Sequence, residues 1–269
     1  MFNVIVIYVN EERKRRTQIY LEHTGIHKDQ IYYLDASVIE NSKIFLEHIP
    51  ENINTTQNKK IMCCLKSHMR AINYAFNYSR NKYTIVLEDD VTFYKYNIVE
   101  KINELIEKWE NNEKYRKYGV VYIGWIPMKN YSKYITTDPY DKLTNYENSN
   151  IINLAPVGTQ GYIIKKSMAS NKVNEILNSK SYIDLIDILR NNVNEYFGNH
   201  DINNHLLAAD VLIPRILTPL VVFPPLVIER NEESTLSHTN ANREYWNYFF
   251  KNNENKKNDY LNLDTNINN

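Results

Sequence analysis

Six short runs of β-branched and other apolar residues recur along the chain: 2–9, 30–34, 83–87, 120–123, 161–164 and 220–223. Runs of this length without polar alternation read as strands buried on both faces. The stretches between them carry apolar residues at helical spacing. Met69, Ile72 and Phe76 share one face of a helix read over 67–78, with Ser67 as its cap. Ile98, Ile102, Leu105, Ile106 and Trp109 do the same over about 97–115. Further helices are read over 11–24, stopped at Gly25, and over 167–177 and 182–197. Strands alternating with helices predict an α/β domain with a mostly parallel sheet. Residues 41–60 are polar and read as a loop, and the Tyr-rich stretch 127–150 reads as a functional loop or lid. One domain is expected over 1–240, followed by a polar Asn/Lys-rich tail over 241–269, partly disordered.

The chain has 269 residues, with 32 basic and 32 acidic side chains, so its formal net charge is zero. Nucleic acid as the main partner would need a Lys/Arg excess, and so would a polybasic membrane binder. No apolar run reaches the roughly 18 residues that span a bilayer. Phe2 to Val9 is too short, and lacks the basic flank, for a signal peptide. Cys63 and Cys64 are neighbours, with Cα atoms about 3.8 Å apart, below the usual disulfide range. They read as reduced, buried thiols, and the expected location is cytoplasmic. With only 6 glycines there is neither a P-loop nor a Gly-x-Gly-x-x-Gly pattern, so phosphate is not held by a glycine-rich loop. The 39 asparagines and 22 tyrosines are read as compositional bias.

Ligands of open α/β sheets bind at the carboxyl ends of the strands. The run 83–87 leads straight into Glu88-Asp89-Asp90 at such an end. Adjacent carboxylates repel unless a cation offsets them. A divalent metal bridging carboxylates to a diphosphate is one solution; a solvated turn or pairing with Lys/Arg is the other. Continued alternation of an extended backbone would put Glu88 and Asp90 on one side.

Cys64-Leu65-Lys66-Ser67-His68, a helix, and then Val86-Leu87-Glu88-Asp89-Asp90 resemble glycosyltransferase family 25, which includes lipooligosaccharide and procollagen galactosyltransferases. Val121-Tyr122-Ile123-Gly124, Gly158-Thr159-Gln160-Gly161-Tyr162, Asp210-Val211-Leu212-Ile213 and Pro224-Pro225-Leu226-Val227 resemble later elements of that family, in order. Arg15-Arg16 and Asp35-Ala36 match its basic pair and second strand end. Tyr8-Val9 stand where the family has Asn-Leu.

The resemblance implies a GT-A, Rossmann-like fold that binds a nucleotide-sugar. It implies an inverting transfer of a hexose, galactose or glucose, from a UDP-sugar to a glycan or glycoprotein acceptor. Asp90 and Glu88 would hold Mn²⁺ or Mg²⁺, with His238 as a late additional ligand. The implied donor contacts are Tyr8, Arg15, Arg16, Asp35, Ser67, His68, Glu88, Asp89, Gly158 and Thr159. The acceptor's proton would go to Asp210, or second to Asp201. Asp201 and His205 share a helix face but make no metal set by themselves. Trp125, Tyr131, Tyr134 and Tyr140 are candidates for stacking on an acceptor sugar. Competing functions are an inactive nucleotide-sugar or glycan-binding protein and a metal-dependent phosphohydrolase. The intact acidic triplet favours the transferase over the first. The lack of a second ligand cluster favours it over the second.

Overall fold

The computed structural model of the chain describes residues 2–93, 97–126, 142–145, 157–191, 208–217, 219–223 and 225–229. The first apolar run forms β1 (Phe2–Tyr8), followed by α1 (Glu11–His23) and β2 (Ile31–Asp35). Then come α2 (Thr56–Asn77), β3 (Tyr83–Glu88), β4 (Val91–Phe93) and α3 (Ile98–Asn111). The remainder comprises β5 (Val120–Ile126), β6 (Lys142–Asn145), β7 (Val157–Lys165), α4 (Asn171–Leu177), α5 (Tyr182–Asn191), α6 (Ala209–Leu217), β8 (Pro219–Phe223) and β9 (Val227–Glu229).

The central sheet has the order β2-β1-β3-β7-β5-β8-β6. Strands β2, β1, β3, β5 and β8 point one way, and β7 and β6 run against them. The mostly parallel α/β expectation therefore holds. Side chains of β1 alternate between two cores: Ile5 and Ile7 pack with α2, α4, α5 and α6, while Val4 and Val6 pack with α1 and α3. Burial on both faces is why these strands read as continuous apolar runs.

Three expectations need correction. Helix α2 begins at Thr56, so the last five residues of the loop read over 41–60 are helical, and Ser67 lies mid-helix rather than at a cap. The cap is Thr55, whose side chain accepts a hydrogen bond from Asn58 N at 3.1 Å. Met62, Leu65 and Met69 continue the buried stripe through the polar surroundings. Strand β7 is longer than expected and antiparallel to both neighbours. Strand β6 (Lys142–Asn145) lies within the stretch 127–150 expected to be a loop, and α6, β4 and β9 were not expected from the sequence. Residues 241–269 lie outside the described residues.

A second, two-stranded sheet pairs β4 with β9 and sets Glu229 opposite Val91. It lies close across the main sheet: Leu226 N donates to Ile123 O at 2.7 Å. A Cβ at Gly124 would come within 3.0 Å of Gly161 N and 3.1 Å of Val227 Cβ. Glycine at 124 is a packing requirement, since no side chain fits between the sheets.

At the opposite end of the main sheet, Glu110 on α3 receives Lys165 Nζ at 2.8 Å, Lys82 Nζ at 3.1 Å and the Tyr83 hydroxyl. Burial would raise its pKa, but the hydrogen bonds from Lys165, Tyr83 and Lys82 outweigh that and hold it down at about 2. A carboxyl depressed in the folded state adds stability above its unfolded pKa. That contribution is lost as pH falls from about 4.5 through about 2. Glu110→Gln is expected to cost about 1–3 kcal/mol at pH 7 and to flatten the loss of stability below pH ~4.5. Urea unfolding at pH 7, 4 and 2.5 measures both.

Candidate active site

The carboxyl ends of β2, β1 and β3 finish in line. Asp35 pairs with Tyr8, and Glu88 with Ile7. Leu87 of β3 pairs with Gly161, so β7 runs its first residues, Gly158 and Thr159, past the same edge. The acidic triplet sits at this edge. Strand β3 stops at Glu88, and Asp89-Asp90 form a turn into β4. The turn ends the alternation expected of an extended chain, so Asp89 and Asp90 share a partner instead of facing opposite ways.

That partner is Arg13, which is 8% exposed. Its Nη1 lies 3.3 Å from Asp89 Oδ1 and its Nη2 donates to Asp90 Oδ2 at 3.1 Å. Asp89 Oδ2 also accepts from Val9 N at 2.7 Å, and its carbonyl accepts from the Thr17 hydroxyl at 2.6 Å. Asn10 caps α1 by accepting from Arg13 N at 2.9 Å, which starts the helix in the phase that turns Arg13 inward. Sequence reasoning missed Arg13 and chose Arg15 and Arg16. Arg15 is exposed, and Arg16 pairs with Glu12 on the outer side. The available signal was the phase of the helix: Arg13 shares its buried face with Thr17, Tyr20 and Leu21.

Asp90 Oδ1 is buried without a hydrogen-bond partner. Burial, with Glu88 and Glu229 close by, pushes the Asp90 carboxyl well above the usual carboxylate range, against the pull of Arg13. Burial acts on Glu88 in the same direction, but the hydrogen bonds and charges of His68, Thr159 and Arg13 hold it below that range. Glu229 is a residue of this site that the sequence did not single out. The β4–β9 pairing places it beside the triplet.

His68 is inside, with Nδ1 2.9 Å from the Tyr162 hydroxyl and Nε2 3.3 Å from Glu88 Oε1. Thr159 Oγ1 donates to the same Glu88 oxygen at 2.5 Å. Ser67 is buried; its hydroxyl accepts from Ser37 N at 2.8 Å and donates to Cys63 O at 2.9 Å, tying α2 to the chain after β2. Gly158 has φ +89, and a Cβ there would meet the Gln160 side chain at 2.3 Å. Asp35 is exposed at its strand end. Tyr8 lies under Lys14 Nζ, 4.7 Å from the ring centroid.

Asp210 stands in the first turn of α6. Its charge and that of Glu88 both help burial to raise the pKa values of Tyr122 and Cys64, so Asp210 and Glu88 border one buried polar region. The Tyr122 hydroxyl there is buried without a partner. Cys63 and Cys64 are free thiols. Asp201, His238 and the aromatic residues Tyr131, Tyr134 and Tyr140 lie outside the described residues, as does the Trp125 side chain.

Among the described residues no three His, Cys, Asp or Glu side chains converge as a ready-made metal cage. Mg²⁺ and similar ions are commonly held by one or two carboxylates plus substrate phosphates, without such a cage. The open, buried Asp90 oxygen beside Glu88 fits that mode.

An acidic strand end flanked by a second carboxylate-bearing sheet is the candidate site, and the family match over most of the chain makes the protein a glycosyltransferase. Residues 1–186 match glycosyltransferase family 25 (LPS biosynthesis protein), and the chain belongs to that family. The match ends before α6 and β9, so Asp210 and Glu229 lie beyond it. No curated protein matches the sequence. The structure is similar to that of the galactosyltransferase LgtC in complex with donor and acceptor sugar analogues, at 9% identity and TM-score 0.40, over 90% of this chain and 94% of that one. It is also similar to the glycosyltransferase GlyE of Streptococcus pneumoniae, at 9% identity and TM-score 0.37, over 97% of this chain and 65% of that one. No helix among the described residues is long and apolar enough to cross a membrane.

Removing one member of a buried ion network leaves the others uncompensated. Arg13→Met is therefore expected to lower stability by about 3–5 kcal/mol at pH 7. Urea denaturation compares it with Arg15→Met, which should stay within about 0.5 kcal/mol of the parent.

Proposed function

We propose that this glycosyltransferase moves galactose or glucose from a UDP-sugar to a hydroxyl of a glycan or protein, with inversion at the anomeric carbon and with help from a divalent metal. The observation that supports this most is the buried, unpartnered Asp90 oxygen just after β3, in a carboxyl pushed toward neutrality by burial and by its carboxylate neighbours. A group in that position is stabilised by a cation.

Asp90 would hold Mn²⁺ or Mg²⁺, with Glu88 at its side and His238 as the further candidate. When bound, the metal neutralises the negative charge that builds on the departing diphosphate. Tyr8 and Asp35, on the neighbouring strand ends, border the donor's nucleotide. Arg13 keeps Asp89 and Asp90 in place, so that the triplet faces the cleft as a fixed unit. Asp210 takes the acceptor hydroxyl's proton as the new glycosidic bond forms, with Asp201 as the second candidate. The acceptor is selected by the variable connecting segments, with 41–60 and 127–150 as candidates. The two free thiols at 63 and 64 support a reducing, cytoplasmic setting.

The test incubates the full chain with Mn²⁺ and a panel of radiolabelled UDP-sugars. Metal-dependent UDP release is expected, and Asp90→Ala should abolish it. Asp210→Asn should keep UDP-sugar binding by calorimetry while lowering kcat by about 10²–10⁴-fold. Full activity in that variant removes Asp210 as the base. UDP-sugar binding without turnover would make the protein a binding module, and release of inorganic phosphate would make it a hydrolase.

A further inference from the structure

His68 is 1% exposed in the middle of α2, yet it belongs to a polar chain that ends at the cleft. His68 of α2 and Thr159 of β7 converge on a single oxygen, Glu88 Oε1, at the end of β3, and the Tyr162 hydroxyl of β7 holds His68 from behind at Nδ1. The direction of the chain follows from the chemistry. If Nδ1 carried the only ring proton, the Nε2 lone pair would face a carboxylate. Nε2 therefore carries a proton toward Glu88, and the Tyr162 hydroxyl holds Nδ1. The Tyr162 hydroxyl is itself fixed, because its fully buried ring stacks on Tyr122 with centroids 5.5 Å apart.

The other oxygen, Glu88 Oε2, has no hydrogen-bond partner among the described residues, and the Glu88 side chain is 26% exposed. One oxygen is thus held from inside the protein and the other is left toward the cleft. The terminal torsion of a glutamate is broad, so an unrestrained carboxylate would sweep a range of orientations.

We propose that Tyr162 and His68 are positioning residues: they lock Glu88 so that Oε2 alone is presented to the donor substrate. This assigns His68 an indirect role, in place of the donor contact its sequence position suggested. Both of its ring nitrogens are occupied within the chain. The inference rests on the transferase reading, with a readout that separates the two.

Tyr162→Phe keeps the stacked ring and removes only the hydroxyl oxygen. With the full-length chain, Mn²⁺ and the preferred UDP-sugar, it should lower kcat about tenfold or more while KM changes by less than about twofold. In a Glu88→Gln background the same change should add no further loss, because the oxygen it positions is already altered. Losses that multiply, or an unchanged kcat in the single variant, overturn the proposal. If Tyr162→Phe does not fold, Thr159→Val enters the same cycle, since it removes the other donor to Oε1. If the parent chain turns over no UDP-sugar, the transferase reading fails by itself. The positioning is then decided by crystal structures of the parent and Tyr162→Phe: a reoriented Glu88 carboxylate upholds it, and an unchanged one overturns it.

Discussion

The contact of Arg13 with Asp89 and Asp90 is the constraint on which the cleft depends. Two like charges about 4 Å apart repel by about 4 kcal/mol at an effective dielectric near 20. Three consecutive carboxyls at a buried strand end are untenable without compensation. The guanidinium fork suits the task because it serves two carboxylates at once, which the point charge of a lysine does less well. Its placement follows from α1, whose first turn is fixed by Asn10, and from the bond between Val9 N and Asp89. The turn after β1, the start of α1 and the end of β3 therefore form one unit. Asp89 serves that unit, while Asp90 and Glu88 keep one oxygen each for other purposes.

Much of this was legible in the amino-acid order, for reasons that differ by element. Strands β1 and β3 are buried on both sides, so Val4 to Ile7 and Thr84 to Leu87 had to be almost wholly apolar, whatever surrounds them. The acid triplet was legible because no other arrangement puts three acids directly after such a run. The start of α2 was not, because Gln57, Asn58, Lys59 and Lys60 conceal the apolar stripe that begins only at Met62. Strands β4 and β9 have three residues each, too few for any period to register. Arg13 was hidden among neighbouring arginines, because only the helix phase separates Arg13 from Arg15 and Arg16. Ser67 carried the signature of a cap, yet at mid-helix its hydroxyl serves a carbonyl one turn back and the amide of Ser37.

The scarcity of glycine acquires a structural meaning here. Of 6 glycines, Gly124 and Gly161 are used where β9 crosses the main sheet, and Gly25 and Gly158 where the backbone turns through positive φ. A phosphate-cradling loop would need several more in succession. A cleft that handles phosphate without one depends on carboxylates and a cation instead. It therefore needs a carboxylate oxygen left over after Arg13 is satisfied, which Asp90 Oδ1 provides.

The crossing of β9 over Gly124 and Gly161 also fixes when the cleft can exist. During synthesis, β1 through β7 and the Arg13 contact are available well before residue 200 emerges. The acidic strand end is electrostatically settled by then. At that stage β5 still lacks β8, β4 lacks its partner, and the two glycines lie open to water. Only when residues 227–229 have cleared the ribosome can Glu229 take its place beside Asp90. A nascent chain thus carries a quiet acidic end before β9 arrives to set Glu229 beside it.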